Sequence, residues 1–286
     1  MLARFWSLGF VALAGCAATL TARADGQVAP RIEEIEFVSH GVRLSGSVAW
    51  PAGRGARAAV VFIHGSGKQE RNMNWALRFA EAGIAALVYD KRGAGKSGGE
   101  YEGEQSVSEQ NISLLTDDAV AALETLAAQP ALRGVPVGLA GISQAGWIAP
   151  LAAERSAAAK FLVLWSGPVC KVSEEDIYSK YTRDSDGRSV PSYREALEAR
   201  TEKYIWPDFL GVDTDPATSL RKLSIPGLWI FSDNDGSVPV DLSITRLKAL
   251  EESGHDYEHV LVPGLGHNNM DGTFKIATDW ILHLVK

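Results

Sequence analysis

Gly138-Leu139-Ala140-Gly141-Ile142-Ser143-Gln144-Ala145-Gly146 carries the reading from which the rest follows. The apolar run 135–140 reads as a strand, and the Ala-rich stretch 143–155 as a helix. Almost nothing separates the two, so the chain has to reverse at Ser143. A turn that sharp strains its central residue and leaves no room for large neighbours, and positions 141 and 145 are both small. The Ser143 hydroxyl is then held at the carboxyl end of a strand, with a helix N-terminus close behind it. A serine in this place can also be a simple helix N-cap. The two readings separate on what else the chain brings to the same edge.

Outward from this turn the sequence alternates. Two early segments, 32–38 and 42–50, alternate as half-buried strands do, and their spacing predicts an antiparallel pair at a sheet edge. The runs 58–63, 84–89, 161–165 and 228–231 are continuously apolar, as strands buried on both faces should be, and 257–262 makes a final strand. Between them 74–82, 114–128, 240–253 and 273–285 read as helices. This is an α/β pattern: a mostly parallel sheet with helices on both faces, whose ligands gather beyond the carboxyl ends of the strands. Residues 168–223 break the rhythm with no buried strand, several charges and the aromatics Tyr178, Tyr181, Tyr193, Tyr204, Trp206 and Phe209. They read as a helical insertion, a lid or cap that could supply an apolar pocket, within one domain spanning 25–286.

Candidate partners for Ser143 follow from position. His64-Gly65-Ser66-Gly67 comes directly after the first fully buried strand, where a glycine-rich turn can aim amides into the crevice. The backbone N–H groups of Ser66 and Gln144 are the candidate oxyanion hole; His64 itself, ending a strand, reads as structural. Of six histidines, His267 alone occupies a loop between the last strand and the last helix, flanked by glycine, and is the candidate base. The acid that orients it should lie between the two in sequence, and Asp233 and Asp235 both qualify.

At this point the chain resembles the α/β-hydrolase superfamily over nearly all of 25–286. The order Ser143, Asp235, His267 is that superfamily's order and differs from those of chymotrypsin-like and subtilisin-like proteases. Ala145 stands where the G-x-S-x-G motif has its second glycine. Asp235, three residues before Val238-Pro239, resembles the superfamily's acid loop, which favours it over Asp233. Asp90-Lys91-Arg92-Gly93-Ala94-Gly95-Lys96-Ser97 looks like its D-x-R-G-x-G-x-S loop. The turn at 64–67 lacks the HGGG of hormone-sensitive-lipase-type esterases, and the chain is more similar to small bacterial esterases and acylaminoacyl-peptidase-like proteins. The resemblance implies a serine hydrolase acting on a small acyl substrate through an acyl-enzyme. A carboxylic ester is the first expectation, an acyl peptide, amide or thioester the second. A binding protein on a hydrolase fold is the alternative from another class.

Composition bounds the rest. The 286 residues are 46% hydrophobic with a net charge of −7 and no basic cluster, which argues against nucleic acid as a partner. No Cys/His spacing points to zinc, and no cofactor is expected. Gly95-Lys96-Ser97 imitates the end of a phosphate-binding loop, but Asp90 stands where the earlier glycine is required. Arg4 followed by the apolar run 5–20 and Ala22-Arg23-Ala24 reads as a signal peptide over 1–24, too short to span a membrane. Leu13-Ala14-Gly15-Cys16 offers a competing lipoprotein signal over 1–15, with a lipid anchor on Cys16 as the only membrane link. Either reading exports the protein to the periplasm or beyond. Only Cys170 remains after cleavage before Asp25, so no internal disulfide forms, and Cys170 reads as structural. The oligomeric state is not legible in the sequence.

Overall fold

Ala59, Val61 and Ile63 are buried against one apolar cluster, and Ala58, Val60 and Phe62 against another. One short strand thus feeds two cores, which explains its uninterrupted apolar run. The computed structural model describes residues 29–286 apart from 54, 104 and 105. The signal-peptide, lipobox and Cys16 readings lie outside these residues.

The strands are β1 (Arg31–Ser39), β2 (Val42–Trp50), β3 (Ala58–Ile63), β4 (Ile84–Tyr89), β5 (Val137–Ile142), β6 (Ala159–Trp165), β7 (Gly227–Ser232) and β8 (Tyr257–Val262). They form one sheet in the order β1-β2-β4-β3-β5-β6-β7-β8. β1 pairs antiparallel with β2 at the edge, as the alternation predicts, and β2 antiparallel with β4; every other pairing is parallel. The fold is therefore α/β with a mostly parallel eight-stranded sheet. Helices α1 (Met73–Glu81) and α8 (Met270–Leu284) pack on one face. Helices α2 (Glu109–Ala127), α3 (Ala145–Arg155) and α7 (Val240–Glu252) cover the other.

Of the boundaries that differ from the sequence reading, two have a clear physical reason. β5 begins at Val137 rather than 135, because Pro136 has no N–H to donate and only its carbonyl joins β3, accepting from the Ala59 amide at 2.9 Å. Helix α2 begins at Glu109 rather than 114, because the Ser108 hydroxyl caps it, accepting from the Asn111 amide at 3.2 Å.

The insertion 168–223 holds the short helices α4 (Val172–Thr182), α5 (Tyr193–Glu198) and α6 (Pro216–Leu220). Cys170 is fully buried at its start, and its carbonyl accepts from Trp147 Nε1 at 2.8 Å. The loop that imitates a phosphate site is closed on itself. The Asp90 carboxylate accepts from the Lys96 amide at 2.8 Å and from Arg71, and Ser97 Oγ donates to the Asp90 carbonyl at 2.6 Å.

Candidate active site

Ser143 stands between β5 and α3 with φ +56°, a left-handed conformation that a non-glycine residue holds only when its surroundings impose it. They do. Its amide donates to the Trp165 carbonyl at 3.0 Å, and its carbonyl accepts from Gly146 at 2.8 Å. A Cβ on Gly141 would stand 2.5 Å from that of Ala145 and 2.7 Å from the Ile63 carbonyl oxygen, while one on Gly146 would meet Pro168 at 2.5 Å. Small residues at these positions are what let β5 turn into α3 against its neighbours.

Four loops at the carboxyl ends of the parallel strands meet here. The loop after β3 lies against the elbow, since a Cβ on Gly65 would be 3.4 Å from Ser143 Cβ. Ser66 follows in that loop, and Gln144 is the N-cap of α3, fully buried. The loop after β7 presents Asp235, whose side chain is fully buried, and the loop after β8 presents His267. His267 Nδ1 lies 3.0 Å from each Asp235 oxygen. The Ser237 and Val238 amides donate to Asp235 Oδ1, both at 2.9 Å, and hold the carboxylate in place. Asp233 does not face the imidazole; its carboxylate accepts from the Gly264 amide at 2.7 Å and shapes the histidine loop from outside.

Ser143, His267 and Ser66 line one cleft of about 570 Å3. Its apolar wall comes from Phe62, Trp75, Ile142 and Met270, and no lining residue belongs to the insertion 168–223. The insertion instead grips the loops behind the cleft. Asp186 accepts from the His267 amide at 3.0 Å and the Gly236 amide at 3.0 Å, and the Gly187 amide donates to Asn234 at 3.2 Å. Tyr178 Oη donates to the Asp235 carbonyl at 3.2 Å. A side chain at Gly266 would strike the Asp186 carboxylate, so this contact needs glycine there. From the other side, Ser166 Oγ donates to the His267 carbonyl at 2.9 Å. None of these supports is marked in the sequence: Asp186 sits in an ordinary Asp-Ser-Asp-Gly turn.

Electrostatics divide the buried His64 from the partly buried His267. Burial, helped by the Lys91 charge, lowers His64 to about 4, so it stays neutral, edge-on to Tyr89. Burial also acts to lower His267, but the Asp235 hydrogen bond and charge, with the charges of Asp186 and Asp184, outweigh it and raise its pKa above the ordinary 6.5. Of the remaining histidines, His40 meets Asp117 at 2.7 Å and His255 Nδ1 lies 3.0 Å from the Leu223 carbonyl. Among the described residues no group of His, Cys, Asp and Glu could hold a metal ion. An imidazole braced by a buried carboxylate, in the same cleft as a serine on a strained turn, is equipped to take that serine's proton and pass it to a leaving group.

Comparison with known proteins agrees with this architecture. The family model described as serine aminopeptidase, S33 matches residues 54–195. A polyketide transferase of Penicillium crustosum is 33% identical over 154 residues, 52% of this chain and 48% of that protein. The chain thus spans about half the length of the curated relative it matches. The esterase Pf2001 of Pyrococcus furiosus superposes with a TM-score of 0.63 at 15% identity, covering 90% of each chain. The acylaminoacyl peptidase of Pyrococcus horikoshii gives 0.63 at 16%, covering 88% of this chain and 41% of its own. Acetyl xylan esterase 1 of Thermoanaerobacterium gives 0.64 at 16%, covering 92% and 91%. At these identities the structural likeness carries the fold. The fold is that of the α/β-hydrolases, and the family match over residues 54–195 places that stretch of the chain in the α/β-hydrolase superfamily.

Proposed function

We propose that the protein hydrolyses carboxylic esters by acyl transfer through Ser143. His267 takes the Ser143 proton as Oγ bonds to the substrate carbonyl carbon, and Asp235 fixes the tautomer and stabilises the imidazolium. The carbonyl oxygen, now an anion, rests on the amides of Ser66 and Gln144. Collapse breaks the ester C–O bond, and His267 returns its proton to the departing alcohol. Water, deprotonated by His267, then attacks the acyl-enzyme, releasing the acid and restoring Ser143. The observation that carries this reading is the bidentate approach of Asp235 to an imidazole that shares one cleft with Ser143.

The cleft volume lies in the range of small-molecule pockets and supports a compact substrate. The insertion 168–223 acts on this chemistry through the loops it grips, as a brace more than a wall. Acyl transfer to an alcohol in place of water has one observation in its favour, the match to a protein named a polyketide transferase. The chain is exported, either cleaved before Asp25 or anchored at Cys16, and the mass of the mature N-terminus distinguishes the two.

The test is a panel of p-nitrophenyl esters, aminoacyl amides and acyl thioesters, run with and without an added alcohol. Short-chain esters should turn over, and Ser143→Ala should reduce their hydrolysis by about 10^4-fold or more without loss of fold. Turnover of amides alone, or a Ser143→Ala variant that keeps most of its activity, overturns the reading. Ester formation dominating hydrolysis would favour the transferase.

A further inference from the structure

Lys91 is 2% exposed, contacts the turn after β3 and the start of α3, and takes no part in the steps above. It follows β4, in the loop that also holds Asp90 and Arg92. Its Nζ donates to the Gly65 carbonyl at 2.8 Å and to Gln144 Oε1 at 2.8 Å. Its own amide donates to the Gln69 carbonyl at 3.0 Å, and the Gln69 side chain in turn donates to the Ser66 carbonyl. Gln144 Nε2 donates to the Ser106 carbonyl at 2.9 Å, which fixes the amide with its oxygen toward Lys91. One side chain therefore ties together the two backbone segments that carry the anion-binding amides, the turn at 65–66 and the start of α3.

A buried ammonium is costly unless a carboxylate compensates it. Here none does: Asp90, the adjacent carboxylate, is taken by Arg71 and the Lys96 amide. The partners of Nζ are two neutral oxygens and, at 5.9 Å, the Tyr101 ring. An uncompensated positive charge kept just behind the place where an oxyanion forms is worth most when that negative charge appears.

We propose that Lys91 is a positioning residue for acyl transfer, holding Gly65 and Gln144 in register so that the Ser66 and Gln144 amides converge, with its fixed charge favouring the oxyanion. This rests on the ester-hydrolase reading above. Burial lowers the Lys91 pKa to about 8, so its charge is lost within an accessible pH range. The groups that face it titrate elsewhere: His64 at about 4, Asp90 at about 2, and Tyr89 well above its usual value. Glu175 on α4 is also pushed up to about 8, by burial and then by nearby carboxylates including Asp235. A limb that arose from Glu175 would persist in a variant lacking Lys91, which separates the two groups.

The experiment compares Ser143-dependent hydrolysis of one aryl ester by wild type and Lys91→Met, with kcat and KM measured from pH 6 to 10. Wild-type kcat should fall by about three- to tenfold on an alkaline limb near pH 8. Lys91→Met, with stem volume kept and its fold checked by circular dichroism, should lose about ten- to a hundredfold in kcat with KM changed less than threefold, and should lack that limb. A Lys91→Met kcat within threefold of wild type, or a loss that leaves the alkaline limb in place, overturns the proposal. Should the variant fail to fold, a wild-type kcat flat to pH 10 overturns it, while an alkaline limb that shifts up in Lys91→Arg supports it. Absence of Ser143-dependent turnover in wild type would instead sink the ester-hydrolase reading itself, which keeps the two failures distinct.

Discussion

Ser143 illustrates how much one residue's chemistry depends on its backbone. At φ +56° its hydroxyl stands clear of the turn, and the strain is held by hydrogen bonds from Ser143 and Gly146 and by the tight fit at Gly141. The imidazole opposite is equally constrained. Because Asp235 and the neighbouring carboxylates raise the His267 pKa above 6.5, the neutral form needed as a base is lost on acidification earlier than for a free histidine. kcat/KM for an aryl ester should therefore fall tenfold per pH unit below an apparent pKa above 6.5. A profile flat from pH 8 down to 5 would contradict His267 as the base. Asp235 is set apart from Asp233 by the family's acid loop and by the fold. From the residues alone the two carboxylates are equivalent, and what divides them is that Ser237 and Val238 turn back to grip the one while Gly264 takes the other.

Among the elements, the insertion contributes what the sequence conceals. Its turn after α4 presents Asp186 to the amides of both Gly236 and His267, joining the acid loop to the histidine loop. Arg183 and Asp184 reach this turn through left-handed backbone, at φ +58° and +52°. Asp186→Ala removes both bonds while leaving Asp235 and His267 in place. It should lower kcat by about tenfold through looser imidazole placement, with intact fold by circular dichroism. An unchanged kcat would show that the brace is dispensable. The central parallel strands were legible because double-sided burial writes itself as continuous apolar runs, and β3 and β4, buried throughout, match their expected limits. Asp186 and Lys91 were not, because each acts on a backbone group of another loop, and such contacts leave no periodicity or motif in the chain.

For the molecule as a whole, the sheet aligns four strand ends and buried polar pairs lock the surrounding loops to its faces. Arg92 and Asp118 are the clearest such pair, both buried, with Nε 3.0 Å from Oδ2, a second contact from Nη2, and Nη2 reaching the Ser39 carbonyl at 3.2 Å. They pin the loop that carries Lys91 to α2. Asp118→Ala would strand a buried guanidinium, at a cost of about 3–5 kcal/mol. The melting temperature should drop by roughly 10 °C, a loss that a merely exposed pair would not cause. The claim on which everything functional depends is that the folded sheet makes the Ser143 hydroxyl nucleophilic. Treating the purified protein with a fluorophosphonate and locating the adduct by mass spectrometry addresses it directly. A single adduct on Ser143, absent from Ser143→Ala and at least tenfold slower in His267→Ala, is the expected result; a wild-type protein that stays unlabelled, or is labelled elsewhere, contradicts it.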